Sequence, residues 1–475
     1  MFRSVRSLPV LLVLSVEAPC LAAPPDTVNP DAPPALSEGN SQARRVGLRE
    51  AIDYARAHHP VILASLARVA ASRADTEIPR ALWYPTAGIS AQIFAATANN
   101  TTGTYVGPDQ FDLPRIGGTR VVSSPDWAPS ASTLVGIGAR QELFDFGRIA
   151  ARAAAVDTLV DLEQQAARAD ELDVTFDVEE AYFAVYSARA VLKASEDAYQ
   201  RSKAHRDLAK AGVASGLRSP IELTRAEADL TRFDIGRLKA QGGVFTAEVV
   251  LAAAVGVPDA SLDIAEAPPA PGELPSLADA IRQGVRRDPA VLEAVASLRA
   301  AEATTRAIGA ELRPDVAATA TFSGRAGGAT PSGNGVRPAG SGFLPDVPNW
   351  DAGLVLNVPL FDGVINARED AARARERVRT EELAAANQRE IAAIRRAYVA
   401  TDVARAALPR LSSAVDAARA NYAQAEARFN AGLGTSVELA DAEAVRTDAE
   451  IQLALGQFEL ARARARFGRA IAEGI

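Results

Sequence analysis

The sequence predicts an internally duplicated protein of mixed α and β structure, each half contributing two strands and one long helical hairpin. Three observations carry that prediction. They are a repeat that holds register over most of the chain, four segments of period-two alternation, and two 69-residue intervals of helical periodicity, each closed by glycine. Of 475 residues, 48% are hydrophobic, 23% charged and only 5% aromatic, a mixture that suits long thin helices better than a thick globular core. A formal charge of −8 disfavours a general binder of nucleic-acid phosphates. Mean hydropathy is zero, and beyond the N-terminus no apolar run reaches the ~18 residues of a membrane-spanning helix. One cysteine and three histidines leave no disulfide framework, thiolate metal site or imidazole-rich centre within a chain, so no cofactor is expected.

Residues 1–23 read as a signal peptide. Arg3 and Arg6 precede the apolar run Leu8–Val16, and small residues follow around Cys20, Ala22 and Ala23. Cleavage is expected near Ala22 or Ala23. Lipidation of Cys20 is opposed by Glu17-Ala18-Pro19, where a small apolar approach is needed. Residues 24–46 form an N-terminal extension. A first repeat covers residues 47–256, a Pro-rich linker 257–276, and a second repeat 277–475.

The repeat is explicit. Leu48, Ala51, Ile52, Pro60, Leu63, Ala67 and Pro85 return as Leu277, Ala280, Ile281, Pro289, Leu292, Ala296 and Pro314, displaced by 229 residues. From Gly147 the displacement is 216: Gly147, Ala181-Tyr182, Gly216-Leu217, Glu222-Leu223 and Ala226-Glu227-Ala228 match Gly363, Ala397-Tyr398, Gly432-Leu433, Glu438-Leu439 and Ala442-Glu443-Ala444. A longer loop between residues 85 and 147 of the first copy absorbs the difference.

Each copy opens with a helix and proceeds to two strands. Ala87, Ile89, Ala91 and Ile93 alternate with small or polar residues, as do Val135, Ile137 and Ala139. The second copy offers Val316, Ala318, Ala320 and Phe322, then Ala352, Leu354, Leu356, Val358 and Leu360. Period two over roughly ten residues fits a membrane barrel, and equally a soluble hairpin. The intervening segments, about 97–132 and 323–350, are rich in Gly, Pro, Ser, Asn and Asp, as external barrel loops are. Trp83, Trp127 and Trp350 each stand beside an expected strand end, which suits interfacial aromatic girdles.

Long helices follow. Gly147 to Gly216 and Gly363 to Gly432 are each 69 residues, about 100 Å at 1.5 Å per residue. Val178, Tyr182, Val185, Ala188 and Leu192 in one, and Ile391, Ile394 and Tyr398 in the other, keep helical spacing. Equal lengths would set both terminal turns at one depth, a requirement of a tube. At those turns, Gly216-Leu217-Arg218-Ser219-Pro220-Ile221-Glu222 and Gly432-Leu433-Gly434-Thr435-Ser436-Val437-Glu438 have the spacing of a glycine stop followed by a capping box. The box alone accounts for each glutamate. A functional reading adds that turns gathered from several subunits would line a narrow end with carboxylates, Asp441 extending the face of Glu438.

The duplicated halves, the junctions Leu143-Phe144-Asp145-Phe146-Gly147 and Leu360-Phe361-Asp362-Gly363, and the paired Gly-Leu and Glu-Leu turns together resemble the TolC-like outer membrane channel family, from about residue 45 onward. The resemblance implies a homotrimer in which each chain gives four strands to a twelve-stranded transmembrane β-barrel, continued by a long periplasmic α-helical barrel. It implies Glu438 and Asp441 as aperture acids. Glu222, Arg218 and Arg225 become interhelical links near the tip, and Gly216, Leu217, Gly432 and Leu433 docking positions for a periplasmic adaptor. Glutamate at 222 and 438, where the family has aspartate, and glycine at 434 depart from the pattern. The function implied is an outer-membrane exit duct for an efflux pump or type I secretion system, serving an inner-membrane transporter.

Independently of the family, four strands cannot close a barrel, and lipid does not tolerate open edges, so at least two chains are needed. The competing reading is a periplasmic coiled-coil adaptor, disfavoured by the alternating hairpins. An enzyme is not expected. His58-His59 has Arg287-Asp288 as its repeat counterpart, His205 is isolated and reads as a helix-surface residue, and the glycines of 324–342 lack the strand-and-helix frame of a phosphate cradle.

Overall fold

The computed structural model describes residues 44–97, 129–265, 273–327 and 347–473. Strand β1 (Arg44–Val46) leads into helices α1 (Leu48–His58), α2 (Pro60–Asp75) and α3 (Glu77–Ala81), then strands β2 (Thr86–Thr97) and β3 (Pro129–Phe144). Helices α4 (Arg148–Ala214) and α5 (Pro220–Val255) complete this half, and the short β4 (Leu262–Ile264) follows. The second half runs α6 (Leu277–Arg287), α7 (Pro289–Gly309), β5 (Asp315–Gly327), β6 (Val347–Asn357), α8 (Gly363–Asn430) and α9 (Ser436–Ala470). Helices α4 and α8 have 67 and 68 residues, α5 and α9 36 and 35.

Four strands form one antiparallel sheet in the order β2-β3-β5-β6. Its register aligns apolar residues in rows across every strand: Ala87, Ala139, Ala320 and Ala352 in one, Ile89, Ile137, Phe322 and Trp350 in the next. All four members of the second row are exposed, between 55% and 74%. The adjoining residues, Gly88, Gly138, Thr321 and Asp351, belong to the opposite face, because side chains alternate along a strand. The outer edges of β2 and β6 have no ladder partner among the described residues.

The fourth strand differs from the alternation. It begins at Val347 and stops at Asn357, since Pro359 cannot donate to a ladder. Trp350 is therefore inside β6 rather than before it, and Trp83 occupies the turn ahead of β2. Trp127 lies outside the described residues.

Both strand-to-helix junctions are caps. The Asp145 carboxylate, buried to 3% exposure, accepts from the N–H groups of Gly147, at 3.0 Å, and Ile149. Asp362 accepts from Val364 and Ile365 at 2.7 and 3.2 Å. An aspartate there satisfies orphan donors that would otherwise face the end of a helix.

The largest core joins α1, α4, α5 and the β1–β4 pair around Tyr182, Val178, Val185, Leu251 and Leu262. Residues 257–276, expected as a linker, thus contain a strand that pairs in parallel with the end of the N-terminal extension. A smaller core sets Ala280 of α6 against Ile394 and Phe467. There Gly284 admits the Ile394 side chain, where any Cβ would collide.

Candidate functional site at the two helical turns

Glycine closes both long helices because each must enter the left-handed region. Gly216 has φ 73° and Gly432 φ 72°, conformations that cost other residues roughly 1–2 kcal/mol. Each turn wraps back in the same way. The N–H groups of Leu217 and Arg218 donate to the Gly212 carbonyl at 2.9 and 3.1 Å. Those of Leu433 and Gly434 donate to the Arg428 carbonyl at 2.9 and 3.0 Å. The leucines that follow are left 84% and 74% exposed at the extremity of their hairpins.

The expected caps divide. Thr435 Oγ1 accepts from the Glu438 N–H at 3.2 Å, but the Ser219 side chain makes no capping bond. The first turn has another arrangement, centred on Arg218. Its guanidinium donates to Glu222 at 2.9 Å and to the Phe429 carbonyl at 3.2 Å, and sits 3.8 Å from the centroid of the Phe429 ring. Arg218 therefore ties the first hairpin to the end of α8, while Phe429 anchors a tip core with Tyr422, Leu439 and Ala442. Gly212 makes room for it, since a Cβ there would lie 2.7 Å from Arg218 Cδ. Glu438 has a looser partner, Arg428 at 3.9 Å. Arg225 and Asp441 share the walls of a groove of about 340 Å³ between α5 and α9, and neither forms an ion pair with a described residue.

Above the turns lies a buried polar cluster that the sequence did not single out. The Arg201 guanidinium grips Glu443 with both Nε and Nη2, at 2.8–3.0 Å, and Glu443 is 1% exposed. Thr447 donates to the same carboxylate at 3.1 Å. His205, expected at the helix surface, instead packs inside, its Nε2 2.8 Å from the Tyr422 hydroxyl, which donates to Glu426 at 3.2 Å. Its Nδ1 is buried without a partner. Burial lowers the pKa of this imidazole, and Glu426 and Glu443 oppose that shift only in part. The only sequence signal at Glu443 was its match to Glu227, which is exposed. The histidine pair near Pro60 also has a plain role: His59 Nδ1 accepts from Val61 N–H, as Asp288 accepts from Ala290 and Val291.

The arrangement as a whole is an exposed apolar row across the sheet, two long hairpins of matched length, and a turn at the end of each that pairs an arginine with a glutamate. The sequence pattern of the outer membrane efflux proteins matches residues 51–257 and 280–473. Protein CyaE of Bordetella pertussis is 28% identical over 402 residues, covering 84% of this chain and 78% of its own. The outer-membrane channel OprN superposes with a TM-score of 0.70 over 90% of each chain at 20% identity. The outer membrane channel MtrE of Neisseria gonorrhoeae, in its open state, does so at 0.66 over 90% and 89%, also at 20% identity.

Proposed function

Because the chain belongs to the outer membrane efflux protein family, we propose that three copies of it close one barrel and one helical tunnel, working as a passive duct. Its place is the outer membrane, with the helices extending into the periplasm, and its task is the exit step of efflux or type I secretion. The adaptor reading loses its ground, since the family and the fold are those of channels.

One observation carries the assembly: a four-stranded sheet with an exposed row of Ile89, Ile137, Phe322 and Trp350 and two edges that find no ladder partner among the described residues. In lipid such a sheet must find further strands, and three copies supply twelve. Helix α5 supports the same conclusion. Phe245, Val249 and Val250 stay exposed in the single chain, and a neighbouring copy would cover them.

In this assembly the turns converge. Glu438 and Asp441 form the aperture, Arg218 with Glu222 links hairpins within a chain, and Arg225 is placed for a link across the groove. Gly216, Leu217, Gly432 and Leu433 present the adaptor surface, with an inner-membrane transporter beyond it. Trp83, Trp127 and Trp350 serve as interfacial aromatics. Residues 1–23 are removed on export.

The test is conductance in lipid bilayers. Glu438→Ala with Asp441→Ala raises single-channel conductance and weakens block by multivalent cations, because ring carboxylates concentrate cations at a constriction. Unchanged conductance and block would remove both residues from the aperture.

A further inference from the structure

Well above the turns, α4 and α9 line a cavity of about 530 Å³, within the ~300–1,000 Å³ range of small-molecule sites. Its walls include Leu172, Phe176, Phe183, Tyr186, Leu408 and Phe458. Leu172, Phe176, Glu179, Phe183 and Tyr186 recur along α4 at spacings of three and four, so one stripe of the helix faces the space. Apolar walls alone would say nothing about an occupant, but the charges do.

Two cations line the cavity, and both are engaged. Arg464 holds Glu473 at 2.8 Å, and Arg469 holds Asp173 at 2.6 Å and Asp288 at 3.1 Å. Glu179 also lines it, half-buried, and makes no hydrogen bond or ion pair with a described residue. Burial raises its carboxyl pKa; the field of Arg464 opposes this, Glu473 adds to it and Arg56 opposes it. A half-buried carboxylate without a partner is costly, and a cation with apolar surroundings of its own would relieve that cost. Four aromatic rings add faces to which a cation is attracted.

We infer that this cavity is a binding site for a lipophilic monocation, its apolar body held by Phe176, Phe183, Tyr186 and Phe458 and its charge by Glu179. All of its lining residues come from one chain.

The experiment uses the full-length protein in lipid nanodiscs and tetraphenylphosphonium as the probe, by equilibrium dialysis with empty nanodiscs subtracted. The wild type is expected to show a saturable component of one probe per chain. Glu179→Gln, which keeps shape and removes charge, weakens it about tenfold, and Glu179→Asp largely restores it. Phe183→Leu weakens it while the charge is intact. Absence of a saturable component, as when a neighbouring copy fills the cavity, overturns the proposal. So does equal binding by the wild type and Glu179→Gln.

Discussion

The two turns have matching sequences, yet they are locked from opposite sides. In the first, position 212 is glycine and position 218 arginine; in the second, the matching positions are Arg428 and Gly434. Each turn keeps an arginine beside its glutamate, Arg218 with Glu222 and Arg428 with Glu438. Each also keeps a glycine where the other has the arginine, because there is space for one side chain over the turn. The swap has a consequence. Arg218 lies over Phe429 and reaches the other hairpin, whereas Arg428 reaches only its own turn, through Glu438 and the Leu433 carbonyl. One lock joins hairpins and the other stiffens a loop.

The largest test of that difference removes each arginine. Arg218→Ala loses a charge-assisted bond and a cation–π contact to a buried ring, together about 2–3 kcal/mol of tip stability. Arg428→Ala, an exposed pair 3.9 Å apart, loses less than about 1 kcal/mol. Hydrogen exchange of the α8 C-terminal amides reads both. Equal protection in the two variants would end the distinction between a joining lock and a local one.

A smaller effect separates the caps. Thr435→Ala removes a bond that exists and costs about 1 kcal/mol, while Ser219→Ala removes none and leaves stability within about 0.5 kcal/mol. Thermal unfolding of the two variants checks this directly, and a matching loss in Ser219→Ala would mean that its hydroxyl caps α5 after all.

Where the sequence was legible, the signal was local or periodic. Alternation marked a stretch of each of the four strands, though it carried the fourth past its end at Asn357, because period two is a property of each strand alone. The glycine stops and the two aspartate caps were likewise readable within a few residues. What failed depended on partners distant in sequence. Ser219 and Thr435 share cap spacing, but the Glu222 N–H donates to the Ser219 carbonyl instead of its hydroxyl, while Arg218 takes the Glu222 carboxylate. The first three residues of β6 lack apolar alternation and are strand only because β5 pairs with them. Glu227 and Glu443 stand in identical Ala-Glu-Ala settings, and only the second meets an arginine across a helix interface. Leu262, in a stretch that composition marks as linker, is buried because Val46 and its neighbours offer a strand edge.

The smallest expected effect concerns pH, and it sets the tip against the upper core with opposite signs. His205 faces Arg201 on its own helix, Tyr422 and Glu426 on α8, Glu443 on α9, and Asp229 of α5 across a cavity of about 30 Å³. Burial lowers its pKa, so the packed tip is fully stable above the ordinary histidine value and weakens as pH falls below about 6.5, where the unpacked state takes the proton first. Glu390 behaves conversely. Desolvation, reinforced by Asp288 and opposed by Arg469, raises its pKa to about 7, so packing around it weakens as pH rises from the ordinary carboxylate range toward that value. Between pH 5.5 and 7 the two slopes partly cancel in the intact protein. In Glu390→Gln, acidification to pH 5.5 should increase tip opening, seen as faster exchange of amides near Tyr422, and the further change His205→Phe should flatten that response. An acid response that survives His205→Phe would place the sensor outside this cluster.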